Sequence, residues 1–176
     1  MYWFVKLHGL LDGIMESIIS LPGWLAVLII SALPILELRG GIPLAMGLYS
    51  MSPTKSFLLS VVGNTIPVLI MLKFLPLVEE ELRKIKTMDR FFEWTFERIR
   101  QKVKGKLEKY GIIGLIPFVA IPLPVTGAWT GIAAAYIFDL RYFESLLAIF
   151  IGIIIAGTLV TLSLLGIFTL FGFSGM

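Results

Sequence analysis

Apolar positions fall along this chain in blocks of two lengths. Residues 54–78 and 145–173 each exceed the ~20 positions a helix needs to cross roughly 30 Å of hydrocarbon, so both are predicted to span. The other blocks are too short and come in two pairs. Residues 24–36 and 42–51 flank Glu37-Leu38-Arg39-Gly40-Gly41, with Pro34 and Pro43 beside the break. Residues 111–121 and 128–138 flank Pro122-Leu123-Pro124-Val125-Thr126-Gly127. A short run, a proline–glycine break and a second short run predict a re-entrant helical hairpin. Irregular backbone at membrane depth is tolerated only where protein or a cavity covers it. One kinked helix over 24–51 is the alternative, and the Gly40-Gly41 pair with the two prolines speaks against it. Pro53 suits a first helical turn and opens the first span, which carries Gly63, Asn64 and Pro67 in its middle.

Two further segments alternate polar and apolar positions at helical spacing. In residues 1–22, Trp3, Leu7, Leu10, Ile14 and Ile18 share a face, while Lys6, His8, Asp12 and Glu16 interrupt the run. That predicts an amphipathic interfacial helix rather than a signal peptide. In residues 79–109, Leu82, Ile85, Met88, Phe92, Phe96, Ile99 and Val103 recur every three or four positions. One or two amphipathic helices are expected there, lying on the membrane or against a partner, with a break near Gly105.

The order of elements repeats. Sliding the chain against itself by 86 residues aligns Gly41 with Gly127, Lys55 with Arg141, Phe57 with Phe143 and Ile30 with Ile116. Each half reads as a hairpin followed by a span. Residues 79–109 hold ten basic and seven acidic residues, which accounts for the whole formal net charge of +3. By the positive-inside rule this segment is cytoplasmic. The first span then runs outside to inside and the second inside to outside, so the halves are inverted copies. The fold class expected is an all-α integral membrane protein. Two inverted-topology repeats, 24–78 and 111–173, each a re-entrant hairpin plus a transmembrane helix, are joined by a cytoplasmic amphipathic connector, 79–109, in one membrane domain.

Composition agrees. Hydrophobic residues make up 57% of the 176 positions and charged residues 15%, and mean hydropathy is +0.93. A soluble domain has roughly 45–50% apolar and about 25% charged residues. There is no cysteine and only one histidine, which removes disulfides, thiolate nucleophiles and a multi-histidine metal site. With that one histidine, His8, near the N-terminal end, a serine–histidine–aspartate triad is not expected either. No metal or cofactor is expected, nor an enzyme, because no nucleophile or phosphate loop accompanies the few carboxylates. Nucleic acid is not an expected partner, since the acidic residues of 79–109 cancel most of the basic field. Membrane lipids and an unidentified small substrate are. A homodimer is compatible with so small a membrane domain, and a multi-pass protein of the cell membrane is expected.

Candidate chemistry concentrates at the two breaks. Each charge at membrane depth costs at least roughly 2.5–3.5 kcal/mol on insertion scales, yet Glu37 and Arg39 both sit at the first tip. At a glycine turn both can face one cavity, with Glu37 carrying a proton or cation and Arg39 binding an anionic group. A structural ion pair is their alternative use. Gly41 and Pro43 complete this tip. At the second tip Pro122 and Pro124 free backbone carbonyls, and the half-helix beginning near Gly127 offers its N-terminus to an anion. Thr126 and Trp129 join them, although plain chain reversal also explains the prolines and Trp129 and Tyr136 also suit packing. Asn64 is a candidate for interhelical hydrogen bonding or substrate contact. Asp139 and Arg141 are a candidate gating pair at the cytoplasmic mouth, with helix capping the simpler use.

The run Glu37-Leu38-Arg39-Gly40-Gly41-Ile42-Pro43-Leu44-Ala45 resembles the E-x-R-G/A-x-I-P signature of the small multi-drug export protein family. Ile121 to Gly131 is similar to that family's P-L-P-x-T-G-A-W-T-G block, and the likeness extends over about residues 20–173. The family resembles a distant branch of the DedA, or VTT-domain, superfamily. The resemblance implies paired re-entrant hairpins and membrane transport, with lipid movement and proton-dependent homeostasis as superfamily themes. Mainstream DedA proteins carry arginines around the second proline, in an F-x-R-F-x-P-x-x-R style. Here Phe118-Val119-Ala120-Ile121-Pro122-Leu123-Pro124-Val125 has none, which leaves Arg39 as the deep basic residue. The function expected is a DedA-like, proton- or ion-coupled transporter of a lipid or small amphiphilic or anionic substrate. A scramblase without ion coupling, or a scaffold using 79–109, are the alternatives.

Overall fold

The computed structural model describes residues 20–121 and 126–170, and every regular element among them is helical. The amphipathic segment expected at 1–22 lies almost wholly outside the described residues, as do Pro122 and Pro124. The second break falls where the sequence places it, with one short helix stopping at Ala120 and the next starting at Ala128. The first does not: the chain turns at Leu33–Leu36, and the Glu37–Gly41 run expected as a glycine turn is helical, because Pro34 ends the preceding helix before the glycines are reached. Helix α1 (Gly23–Ala32) stops at an extended Leu33, because the residue before a proline, here Pro34, is pushed out of helical geometry. Helix α2 (Glu37–Pro43) widens into a π-helical turn, Leu44–Leu48. Helix α3 (Pro53–Arg83) starts with Pro53 in its first turn, and its Ser52 cap accepts the Lys55 N–H at 3.4 Å. Helix α4 (Lys86–Tyr110) is followed by a 3-10 turn, Gly111–Gly114, and then by the short helix α5 (Leu115–Ala120). Ile121 is extended, for the same reason as Leu33, since Pro122 follows it. Helices α6 (Ala128–Ile137) and α7 (Tyr142–Leu170) complete the chain.

Helices α3 and α7 are long and apolar enough to cross a membrane. They pack on each other, α1 packs on α3, and α5 packs on α7. Each second short helix also reaches the other half, α2 touching α7 and α6 touching α3. Leu38, Ile42, Val68, Leu115, Ile132 and Ile149 form the centre of the core. The outward faces of the long helices stay apolar, with Leu58, Leu69, Leu77, Phe143, Leu147 and Leu162 exposed. A surface of this kind suits lipid, not water.

Close packing depends on glycine at matching places. A Cβ on Gly63 of α3 would stand 2.6 Å from the Leu28 carbonyl oxygen of α1, and one on Gly152 of α7 would stand 3.1 Å from the Ile116 carbonyl oxygen of α5. Gly63→Ala is therefore expected to lower the melting temperature in detergent, by an overpacking cost of about 1–3 kcal/mol. Gly166→Ala, whose Cβ meets nothing within 4 Å, is expected to leave it unchanged. Equal melting temperatures for the two variants would contradict this packing.

The connector differs from its expected form. Residues 79–83 are the last turn of α3 rather than part of an amphipathic connector, and Gly105 does not break α4, which runs on to Tyr110. An isolated glycine costs only about 1 kcal/mol in a helix; the helix stops instead at Gly111, where φ is +57°. The chain itself covers one end of the apolar stripe, while Leu82 and Ile85 at the other end are exposed. Ile99 and Val103 are buried in the core cluster, and α4 packs on α6 and on the 111–114 turn.

Candidate functional site

The two broken motifs, far apart in sequence, meet in the interior. Glu37 opens α2 with a left-handed backbone, φ 49°, a conformation that costs a non-glycine residue about 1–3 kcal/mol. Its carboxylate is 6% exposed and lies at the start of α6, where Oε1 accepts the Trp129 N–H at 3.3 Å and the Ala128 N–H contributes a further backbone bond. The first N–H groups of a helix lack intrahelical acceptors and carry the positive end of its dipole, so a buried carboxylate there satisfies both. Glu37 thus caps a helix contributed by the other half of the chain.

Trp129 works in the opposite direction. Its indole Nε1 donates to the carbonyl of Ala32, the last residue of α1, at 3.1 Å. Arg39 makes a third crossing. Its Nη2 donates to the Thr126 carbonyl at 2.5 Å and approaches the Thr126 hydroxyl at 3.5 Å, and that hydroxyl donates to the Ile121 carbonyl at 2.9 Å. Between Arg39 Nη2 and Glu37 Oε2 the distance is 4.0 Å. The two charges are therefore joined less to each other than to the backbone of the second motif. Gly127 makes the approach possible: its φ is +137°, and a Cβ there would overlap the Glu37 carboxylate.

Of the other residues singled out from sequence, Gly41 is buried and lies against the hydroxyls of Ser31 and Ser60. Asn64, one helical turn beyond Ser60, is 1% exposed. Pro43 ends α2 and, having no N–H, cannot serve the Arg39 carbonyl. Asp139 and Arg141 form no ion pair with each other: Arg141 reaches Glu144 at 3.1 Å on the surface, and Asp139 is an exposed residue of left-handed backbone that donates its N–H to the Tyr136 carbonyl. No group of three or more His, Cys, Asp or Glu suited to a metal ion occurs among the described residues.

Two features escape a reading of the sequence. Ser31 and Ser60 sit inside apolar runs and read as ordinary helix residues, yet both are fully buried. At the other end of the bundle, Glu79 is buried, receives the Tyr136 hydroxyl at 3.0 Å and pairs with Arg83, which also binds Asp89 at 2.6 Å. The Arg83 guanidinium stacks 5.8 and 5.7 Å from the ring centres of Phe92 and Phe96. This cluster ties α3, α4 and α6 together. Its one advance signal was the four-residue spacing of Glu79 and Arg83. A groove of about 490 Å³ runs between α3 and α7, lined by Thr65, Leu69, Phe143, Leu146, Leu147 and Phe150. Its one hydroxyl, on Thr65, is committed to the Val61 carbonyl at 2.7 Å, so the groove offers apolar contact only.

A family model described as "Putative small multi-drug export protein" matches residues 37–159, more than two thirds of the chain and both motifs of this crossing. No curated protein and no solved structure matches.

Proposed function

The chain belongs to the small multi-drug export protein family, and from that membership we propose an exporter whose moving joint is the crossing of its two broken-helix motifs. The Glu37 carboxylate on the α6 N-terminus carries this reading. As an anion, Glu37 accepts the amides of α6 and is favoured by the helix dipole. A proton on that carboxyl removes the charge and turns one acceptor into a donor, so the cap weakens and α6 separates from α2. Proton transfer at one buried group would thereby open and close the path between the halves. Arg39, a quarter exposed, is the deep basic residue available to an anionic headgroup or substrate once its hold on Thr126 is released. The groove between α3 and α7 suits the apolar part of an amphiphile.

The finer architecture belongs to the same proposal. The like packing of α1 on α3 and of α5 on α7, each with a close glycine contact at Gly63 or Gly152, supports a repeated architecture, which the reading takes as two inverted repeats with re-entrant short helices, in keeping with the DedA resemblance. The charge of the 79–109 segment favours its placement on the cytoplasmic side of the cell membrane. Burial of Ile99 and Val103 withdraws that end of its apolar stripe from any partner.

Reconstitution in proteoliposomes tests the reading, with a fluorescent anionic lipid and an amphiphilic dye as probes, with and without a pH gradient. Wild type is expected to move one of them in a gradient-dependent manner. Arg39→Ala is expected to slow that movement about tenfold or more, the rate equivalent of ~1.4 kcal/mol. Movement of lipid that ignores the gradient would replace coupled export by scrambling. Failure of folded wild type to move either probe would overturn the reading.

A further inference from the structure

We propose that Ser31, Ser60 and Asn64 form a binding site for a dehydrated sodium ion, separate from the Glu37–Arg39 crossing. The three residues come from the end of α1 and from successive turns of one face of α3. Ser31 and Ser60 are 0% exposed and Asn64 is 1% exposed. The Oγ atoms of Ser31 and Ser60 and the Oδ1 of Asn64 have no hydrogen-bond partner. A buried polar atom left unsatisfied is costly, and a native core gathers three of them at one helix junction only where something supplies the missing interaction.

The convergence is geometric. A Cβ on Gly41 would overlap the Ser31 hydroxyl and lie 2.8 Å from that of Ser60. The Ser31 hydroxyl thus packs directly on the Gly41 backbone with that of Ser60 beside it, so both oxygens meet at one point of α2. Asn64 follows Ser60 by one turn, on the same side of α3. Gly63, between them, brings α1 close enough that its own Cβ would stand 2.9 Å from that of Ser31.

The chemistry selects the ion. All three donors are neutral oxygens, which suit a hard cation and exclude softer metals that need nitrogen or sulfur. Without a carboxylate in the set, the site lacks the charge that Ca²⁺ sites use. One further feature favours positive charge: Ser31 lies in the last turn of α1, the negative end of that helix. Broken helices whose C-terminal ends face a cation are a recurrent arrangement in membrane proteins.

The assignment concerns binding and stands without the export reading. It is tested on the purified protein in detergent with Na⁺, K⁺ or choline chloride at equal ionic strength, by saturable ²²Na⁺ binding and by melting temperature. The expected result is saturable ²²Na⁺ binding, and a melting temperature that rises with Na⁺ but not with choline or, at the same concentration, with K⁺. Ser60→Ala and Asn64→Leu are each expected to weaken ²²Na⁺ binding by tenfold or more. Arg39→Ala is expected to retain it, which separates this site from failure of the transport joint. Should the serine and asparagine variants not fold, the wild-type binding measurement decides alone. Absence of saturable ²²Na⁺ binding by wild type, preference for K⁺, or binding unchanged in folded variants would overturn the assignment.

Discussion

Gly127→Ala is expected to leave little folded protein. Two costs coincide at this position. The backbone has φ +137° and ψ −165°, a region open in practice to glycine alone, where another residue costs about 1–3 kcal/mol. The new methyl would also occupy the place of the Glu37 carboxylate. That carboxylate cannot withdraw without leaving the α6 amides and Arg39 behind, and breaking a buried charged contact costs about 3–5 kcal/mol. Gly111→Ala isolates the first cost. Gly111 also has positive φ, at +57°, but a Cβ there meets nothing within 4 Å. The fraction of monodisperse protein in detergent, and its melting temperature, should fall far more for Gly127→Ala than for Gly111→Ala. Comparable values for the two would mean that Glu37 does not lie against Gly127.

Replacement of Glu37 is the second large effect, and two variants separate its structural and chemical parts. Glu37→Gln keeps an oxygen that can accept the Trp129 N–H, so the α6 cap survives and the protein is expected to fold with a loss of about 1 kcal/mol, the worth of one ordinary hydrogen bond. Glu37→Ala removes the acceptor from two α6 amides, leaves Arg39 with less compensating charge and opens a void. A loss of about 3–5 kcal/mol is expected. Transport should behave differently. If Glu37 carries the coupling proton, both variants lose gradient-dependent movement, including the one that folds. Gradient-dependent movement retained by Glu37→Gln would leave Glu37 as a cap alone. Melting curves and the proteoliposome assay on the same preparations distinguish these outcomes.

The Glu37–Arg39 pair shows how far sequence reasoning reaches. Two charges beside two glycines in an apolar run already marked a site, because only a compensated environment holds charge at such depth. Their partners were not legible. A structural pair between Glu37 and Arg39 was the simple alternative, yet the structure puts them 4.0 Å apart and gives the better contacts to Trp129 and Thr126. Ser31 shows the opposite case. A serine in an apolar helix carries no local mark, and its burial against Gly41 and Ser60 arises only when three helices pack.

By itself the sequence determined that the protein is helical and suited to a membrane, which runs are long enough to span, and where the second pair of short helices breaks, though it placed the first break at Glu37–Gly41 instead of Leu33–Leu36. These outcomes are local. Run length sets reach across a bilayer, proline forbids helical geometry to the residue before it, and glycine alone adopts positive φ freely. Only the tertiary structure decided that Glu37 meets the α6 N-terminus 92 positions away and that Arg39 meets Thr126 87 positions away. It alone also decided that Ile99 and Val103 of α4 are buried by their own chain, and that Asp139 and Arg141 form no pair with each other. Such pairings follow from how helices pack around close glycine contacts, and no local propensity encodes which distant backbone a buried charge will find.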